Sequence, residues 1–404
     1  MVHSHAEPGV RSGSIAIEPQ TFAIDAGEVE RRKENMRRVW RYEAVDHVPV
    51  TVDFSPECGE TVRAAHLDTE AWFASAVRRI QWSLRLLTDD YIPLAEPPWL
   101  AFHTVPAMFG ARLWWAEDQN EMPGIKDPPI TRIEQLYELP DPDPHRDGFV
   151  PEILRRLEIA KACFPAEVSL GGVDMMSPLG DVLDIMDQTL FFMSLKRHPE
   201  AILHACDVVT RAQIAVQDAA LAVVGGSERF AALSNWPTWR PEFAKSLVAD
   251  DIAGLFSPAV FERFDMPFTD RLIKRYGGGI LHICGPNPSA RLYMHDDPPI
   301  YGLNCSFRYS RDDFATLKEE LGRKAEDRLG RRGHLEVMFE RGVPLDVMVK
   351  GFRELAETMA PDVVALPYCQ ILTDGSVSED EITSFCAAMR TIAQDYAGAM
   401  RWRD

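Results

Sequence analysis

The chain has 404 residues, of which 46% are hydrophobic and 26% charged, and its formal net charge is −19. That length can bury a large core, as one big α/β domain or two modest ones. The acidic excess argues against nonspecific binding to nucleic acid or anionic membrane. It favours a soluble, cytoplasmic enzyme acting on a small molecule.

Residues 1–25 are polar, without an apolar stretch of signal-peptide type, and are expected as a disordered leader. Residues 26–404 are expected as one folded unit. A charged helix is predicted over 26–44, a first strand over 47–52, a helix over 69–87 with apolar residues at three-to-four spacing, and a short strand over 91–95. Residues 97–144 are rich in proline, aromatics and acids, and predict a long excursion after the second strand with a hairpin near Ala111-Arg112-Leu113-Trp114-Trp115. Its aromatic residues Trp99, Phe102, Trp114 and Trp115 are expected to pack the loop or line a pocket mouth.

Alternation then returns: a helix over 151–164, a strand over 167–172, two long helices within 180–224, strands near 230–234 and 246–250, and a helix over 257–276. The last third alternates most regularly, with strands at 279–284, 301–306, 333–338 and 362–369 and a closing helix over 378–397. Strands separated by helices mean parallel crossover units. About eight such units predict a single (β/α)8 TIM barrel with an N-terminal helical extension. No Gly-x-Gly-x-x-Gly follows the first strand, which removes the usual dinucleotide-binding fold. Gly277-Gly278-Gly279 precedes a strand and reads as a helix C-terminal turn.

Within that frame, Leu281-His282-Ile283-Cys284-Gly285 closes an apolar run. Side chains two apart on a strand share a face, so His282 and Cys284 can bind one borderline metal if a third ligand arrives. Cys369, in Ala365-Leu366-Pro367-Tyr368-Cys369-Gln370, is expected at the end of its own strand and supplies that ligand. Barrel active sites lie at strand C-terminal ends, where both thiols are placed. Cys305 is the alternative thiol. Seven cysteines, an odd count, oppose a disulfide framework. Cys58, Cys163, Cys206 and Cys386 are expected to be structural. Glu96, Asp174 and Asp251 form a second tier of strand-end carboxylates that can orient substrate or move protons. Glu336 is expected in an ion pair with an arginine.

These residues resemble the uroporphyrinogen decarboxylase superfamily, and specifically its zinc-dependent, corrinoid-linked methyltransferases of the methylcobamide:coenzyme M type. The resemblance runs from about residue 38 to 397. It rests on Arg38-Val39-Trp40-Arg41-Tyr42-Glu43-Ala44-Val45-Asp46-His47-Val48-Pro49-Val50, on the 250–261 stretch before the metal strand, and on His-x-Cys followed at long range by Cys. It implies Zn2+ held by His282, Cys284 and Cys369. Glu96 stands where the decarboxylases keep an essential acid, and can also serve as a displaceable fourth ligand. A corrinoid (methylcobalamin) would be supplied by a partner protein, since no Asp-x-His-x-x-Gly segment is present. The resemblance also implies a possible homodimer.

Two departures stand out. Where decarboxylases carry an arginine-rich segment for porphyrinogen carboxylates, this chain has Asp53-Phe54-Ser55-Pro56-Glu57-Cys58-Gly59, which opposes a polycarboxylate substrate. The family's Gly-Asn-x-Asp-Pro pattern is replaced by Val337-Met338-Phe339-Glu340-Arg341-Gly342. The expected function is methyl transfer between a corrinoid and a small thiol or methyl donor. The alternatives are a metal-free decarboxylase or lyase acting on a small carboxylate, and a non-catalytic ligand-binding relative.

Overall fold

The computed structural model describes residues 17–55, 59–87, 90–98, 103–234, 236–372 and 375–403. Cys58, Trp99 and Phe102 lie outside these. The strands are β1 (Thr51–Ser55), β2 (Leu94–Ala95), β3 (Arg112–Trp114), β4 (Gly124–Lys126), β5 (Ser169–Leu170), β6 (Ser246–Ala249), β7 (Gly279–His282), β8 (Ile300–Ser306), β9 (His334–Phe339) and β10 (Val364–Leu372). Six of them form one parallel sheet in the order β1-β10-β9-β8-β7-β6. Single parallel bridges, Leu233 to Ser246 and Phe230 to Leu170, carry the curl on to β5, which pairs with β2. The result is a curled, TIM-barrel-like α/β fold.

Closure differs from the expected full ring. Among the described residues β1 and β2 share no ladder. The cause is local: Pro93, Pro97 and Pro98 flank β2, and each removes a backbone donor. β1 begins four residues later than predicted. Val48 gives its N–H to Ala393 O of the last helix, Val50 gives its N–H to Asp90, and Pro49 has none to give.

The helical layer follows the sequence with informative breaks. The stretch expected as two helices is three, Pro178–Ile185, Gln188–Arg197 and Pro199–Val224, with Asp187 capping the second and Pro199 opening the third. The helix expected over 257–276 contains a π-helical turn, Phe261–Asp265, before Met266–Arg275. Pro267 lacks the N–H an α-helix needs there and its ring crowds the preceding turn. Gly277 and Gly278 follow that helix with φ of 84° and 128°, as the Gly-rich turn requires. The hairpin appears as β3 paired antiparallel with β4.

Of the segment expected as a leader, residues 17–25 are described and they are packed. Gln20 donates its N–H to Cys163 O, and Phe22 stacks on Phe164 at 6.3 Å. Residues 17–25 are therefore packed against the helix Val150–Cys163, because Ile17, Phe22 and Ile24 find an apolar surface there. No helix among the described residues is long and apolar enough to cross a membrane.

Candidate metal centre and adjoining cavity

Strand register sets the site. His282 pairs with Asn304, Asn304 with Glu336, and Glu336 with Leu366 across β7, β8, β9 and β10. Paired residues on neighbouring parallel strands present the same face, so three polar side chains form one row on the inner face of the barrel. Arg240, fully buried, completes the row. It donates from Nε and Nη2 to the Glu336 carboxylate at 3.0 and 2.5 Å, the arginine pair the sequence predicts for that glutamate. Asn304 Nδ2 donates to Glu336 Oε2 at 3.0 Å, which leaves Asn304 Oδ1 to face His282 Nδ1 at 2.5 Å. An amide oxygen only accepts, so Nδ1 carries the proton and Nε2 is the nitrogen offered to the site.

Around Nε2 lie Cys284 Sγ at 3.3 Å and Asp251 Oδ1 at 3.4 Å. The ligand atoms of Asp251, His282 and Cys284 all fall within 4.8 Å of one another. Cys284 is placed by its own backbone: its N–H donates to Asp251 Oδ1 at 2.7 Å, and its carbonyl accepts from Ser310 Oγ at 2.8 Å. The turn needs Gly285 at φ 122°, where a Cβ would lie 2.5 Å from Ser310 Oγ.

Burial opposes charge on His282, yet the Asp251 carboxylate and Cys284 raise its pKa well above the usual value. Burial likewise opposes the Asp251 charge, but His282 and the Cys284 N–H hold its pKa well below the usual carboxylate range. An environment that stabilises positive charge at Nε2 suits a bound cation as well as a proton. Asp174, buried beyond the end of β5, is pushed up to about 7 by burial and by Asp251, against the opposing pull of His282. Asp251, His282 and Cys284 therefore meet at neighbouring strand ends, with Asp174 near enough to feel the charges of Asp251 and His282.

Cys369 does not join them. β10 continues through Leu372, so Cys369 lies inside the strand rather than at its end. Period-2 alternation then puts it on the face opposite Tyr368, whose ring packs at 5.3 Å against Trp236 on the barrel interior. Cys369 is fully buried in the core, with its thiol pKa raised by burial and by Cys386 of the helix Glu379–Ala399. Cys305 is in the same position: Asn304 faces the site, and Cys305 is a buried thiol pushed up to about 12 by burial. The six described cysteines are unbridged.

Glu96 marks a second feature. It is buried directly after β2, 2.8 Å from Arg79 Nη2. Arg79, on the helix Thr69–Leu86, also donates from Nη1 to both Asp53 carboxylate oxygens at 3.1 and 3.2 Å. Tyr368 OH donates to Asp53 Oδ2 at 3.2 Å, and Gln370 Nε2 donates to Tyr368 OH at 2.9 Å. Burial raises the Glu96 pKa, against the opposing pull of Arg79. These groups line a cavity of about 180 Å3 at the unpaired β1–β2 seam. Trp236 lines it too, and its ring lies 4.9 Å from that of His282. Glu96 thus belongs to the cavity and not to the His282 cluster, with Trp236 between them.

Asn304, Arg240, Arg79 and Trp236 are not singled out by the sequence. A signal existed for one: Asn304 is a lone amide in the apolar run Tyr301-Gly302-Leu303-Asn304-Cys305, and buried amides need partners.

Residues 98–226 match the uroporphyrinogen decarboxylase (URO-D) family model, a stretch that ends before Asp251, His282 and Cys284. No curated protein matches the chain. Among solved structures, a methyltransferase from Methanosarcina mazei superposes with a TM-score of 0.64 at 19% identity, covering 89% of this chain and 98% of that one. Over residues 98–226 the sequence is thus similar to the uroporphyrinogen decarboxylase family, and the fold is shared with a methyltransferase.

Proposed function

We propose that the protein is a zinc-dependent methyltransferase that moves a methyl group between a corrinoid on a partner protein and a small thiol or small methyl donor. The observation that carries this reading is the convergence of Asp251, His282 and Cys284 at adjacent strand ends. The donor set is one imidazole nitrogen, one thiol sulfur and one carboxylate oxygen, with Asp251 in the place expected for Cys369. Zinc bonds of about 2.0–2.1 Å to nitrogen and about 2.3 Å to sulfur, in a tetrahedron, imply ligand separations of roughly 3.4–3.6 Å. The 3.3 and 3.4 Å separations from Nε2 fit that arrangement. Three protein ligands leave a fourth position for substrate.

When bound, zinc supplies a Lewis acid that favours the thiolate form of a substrate thiol near neutral pH. The chain's own residues do the rest. Asn304, held by Glu336 and Arg240, fixes the tautomer and orientation of His282. Asp251 receives the Cys284 N–H and holds the loop that carries the thiol. Asp174, with its raised pKa, can hold or release a proton beside the site. The cavity is too small for a corrinoid, in keeping with presentation by a partner at the strand ends. A decarboxylase acting on a polycarboxylate fits less well, because Arg79 is already engaged by Asp53 and Glu96.

Elemental analysis of protein purified without chelator tests the proposal. About one zinc per chain in the wild type, lost in Cys284→Ser and Asp251→Asn, is the expected result; a metal-free wild type would overturn it.

A further inference from the structure

The cavity at the β1–β2 seam has a charge balance and a wall chemistry that the metal cluster does not use. Its ionic groups are Asp53, Asp90, Glu96, Arg79 and Arg390, three carboxylates against two guanidiniums. Each guanidinium is committed: Arg79 to Asp53 and Glu96, and Arg390 to His47 at 2.7 Å beside Asp90 at 4.0 Å. Two polar donors on the inner wall are committed as well. Tyr368 gives its hydroxyl proton to Asp53, and Gln370 gives an amide proton to Tyr368. An incoming carboxylate or phosphate would therefore face the carboxylates of Asp53 and Asp90 with both guanidiniums already engaged, whereas a cation would face carboxylate oxygens. The remaining wall is mostly apolar, with Trp236, Trp239, Tyr368 and Tyr91 contributing rings among aliphatic side chains, and aromatic faces attract cations most strongly where water is excluded.

We infer that this cavity binds a small organic onium cation, an ammonium or sulfonium centre bearing methyl groups, with Trp236 and Tyr368 against the methyl groups and Asp53 balancing the charge. The inference rests on the methyltransferase reading for its purpose, since such a cation is a methyl donor. It does not rest on it for the binding itself, which needs only the cavity. Trp236 is the contact between the two features, packing on Tyr368 at 5.3 Å and on His282 at 4.9 Å. A ligand held against its cavity side is one ring away from the metal cluster.

Isothermal titration of the full-length protein, as purified and again after chelator treatment, tests this with two probes of equal shape. Choline carries the trimethylammonium group; 3,3-dimethylbutan-1-ol replaces its nitrogen by carbon and is uncharged. Choline should bind at least tenfold more tightly than the alcohol in both preparations. Asp53→Asn, which keeps the side-chain shape, should lose about tenfold of that affinity, as should Trp236→Leu. Tetramethylammonium and trimethylsulfonium, run as separate arms, distinguish the two onium types. Equal affinity for choline and the alcohol, tighter binding of acetate than of choline, or no binding of either probe at millimolar concentration would overturn the inference. Because the chelated arm reads the cavity alone, failure here is separable from failure of the zinc assay.

Discussion

Replacing Glu336 by glutamine tests the interior of the barrel most directly. The glutamate is 1% exposed and Arg240 is fully buried, and two charge-assisted bonds of 3.0 and 2.5 Å join them. Glutamine keeps the shape but deletes the charge, and its NH2 must face either the guanidinium or the Asn304 amide, both of which donate. A buried pair broken on one side costs about 3–5 kcal/mol, because the partner charge is left uncompensated. Replacing both partners with apolar residues should recover most of that loss, since the desolvation of two charges is then avoided. We therefore expect Glu336→Gln to lose about 4 kcal/mol in equilibrium urea unfolding, and Arg240→Met/Glu336→Leu to lose much less. The double variant should still bind zinc more weakly, since Asn304 has lost the group that holds it. A loss below about 1 kcal/mol in Glu336→Gln, the size of an exposed pair, would refute the reasoning.

Other outcomes follow from the same geometry. Cys369→Ser should retain zinc while Cys284→Ser loses it, read by metal content per chain; equal loss would return Cys369 to the ligand set. His334, buried against Trp40 with a ring separation of 4.4 Å, is pulled down to about 4 by burial. The unfolded chain takes up a proton near the ordinary 6.5 and the folded one does not, so stability is full above that value and falls as pH drops towards 4. The difference corresponds to about 3 kcal/mol, and His334→Gln should flatten that part of a stability–pH curve. Ser378 and Glu381 form a reciprocal capping box on the last helix; Ser378→Ala should cost about 1 kcal/mol in the same unfolding assay.

Much of this site is legible in the chain because periodicity reports faces. His282 and Cys284 share a side by simple alternation, and the alternation of strand and helix after residue 278 places them at a strand end. For Cys369 the sequence leaves open which face of its strand is the interior, and the strand runs three residues beyond it. Gln370, Ile371 and Leu372 extend the ladder on β1, which makes Cys369 an interior residue of its strand rather than the last. Asp251 was legible as a carboxylate after β6, but not as the third ligand, since its approach to Cys284 depends on the Gly285 turn. The Arg240–Glu336–Asn304 row depends on register between strands, which no single strand encodes. Arg79 could not be read as a cavity group, because its helix is amphipathic in the ordinary way and only tertiary packing turns that face towards Asp53 and Glu96.

Among the described residues β1 and β2 share no ladder, so side chains of the last helix, rather than a strand pair, complete the wall at that seam. Cys386 and Arg390 of the helix Glu379–Ala399 line the cavity there. The last helix of the chain is therefore coupled to the first strands of the barrel wall: a substitution on this outer helix changes what the cavity can hold without touching a strand.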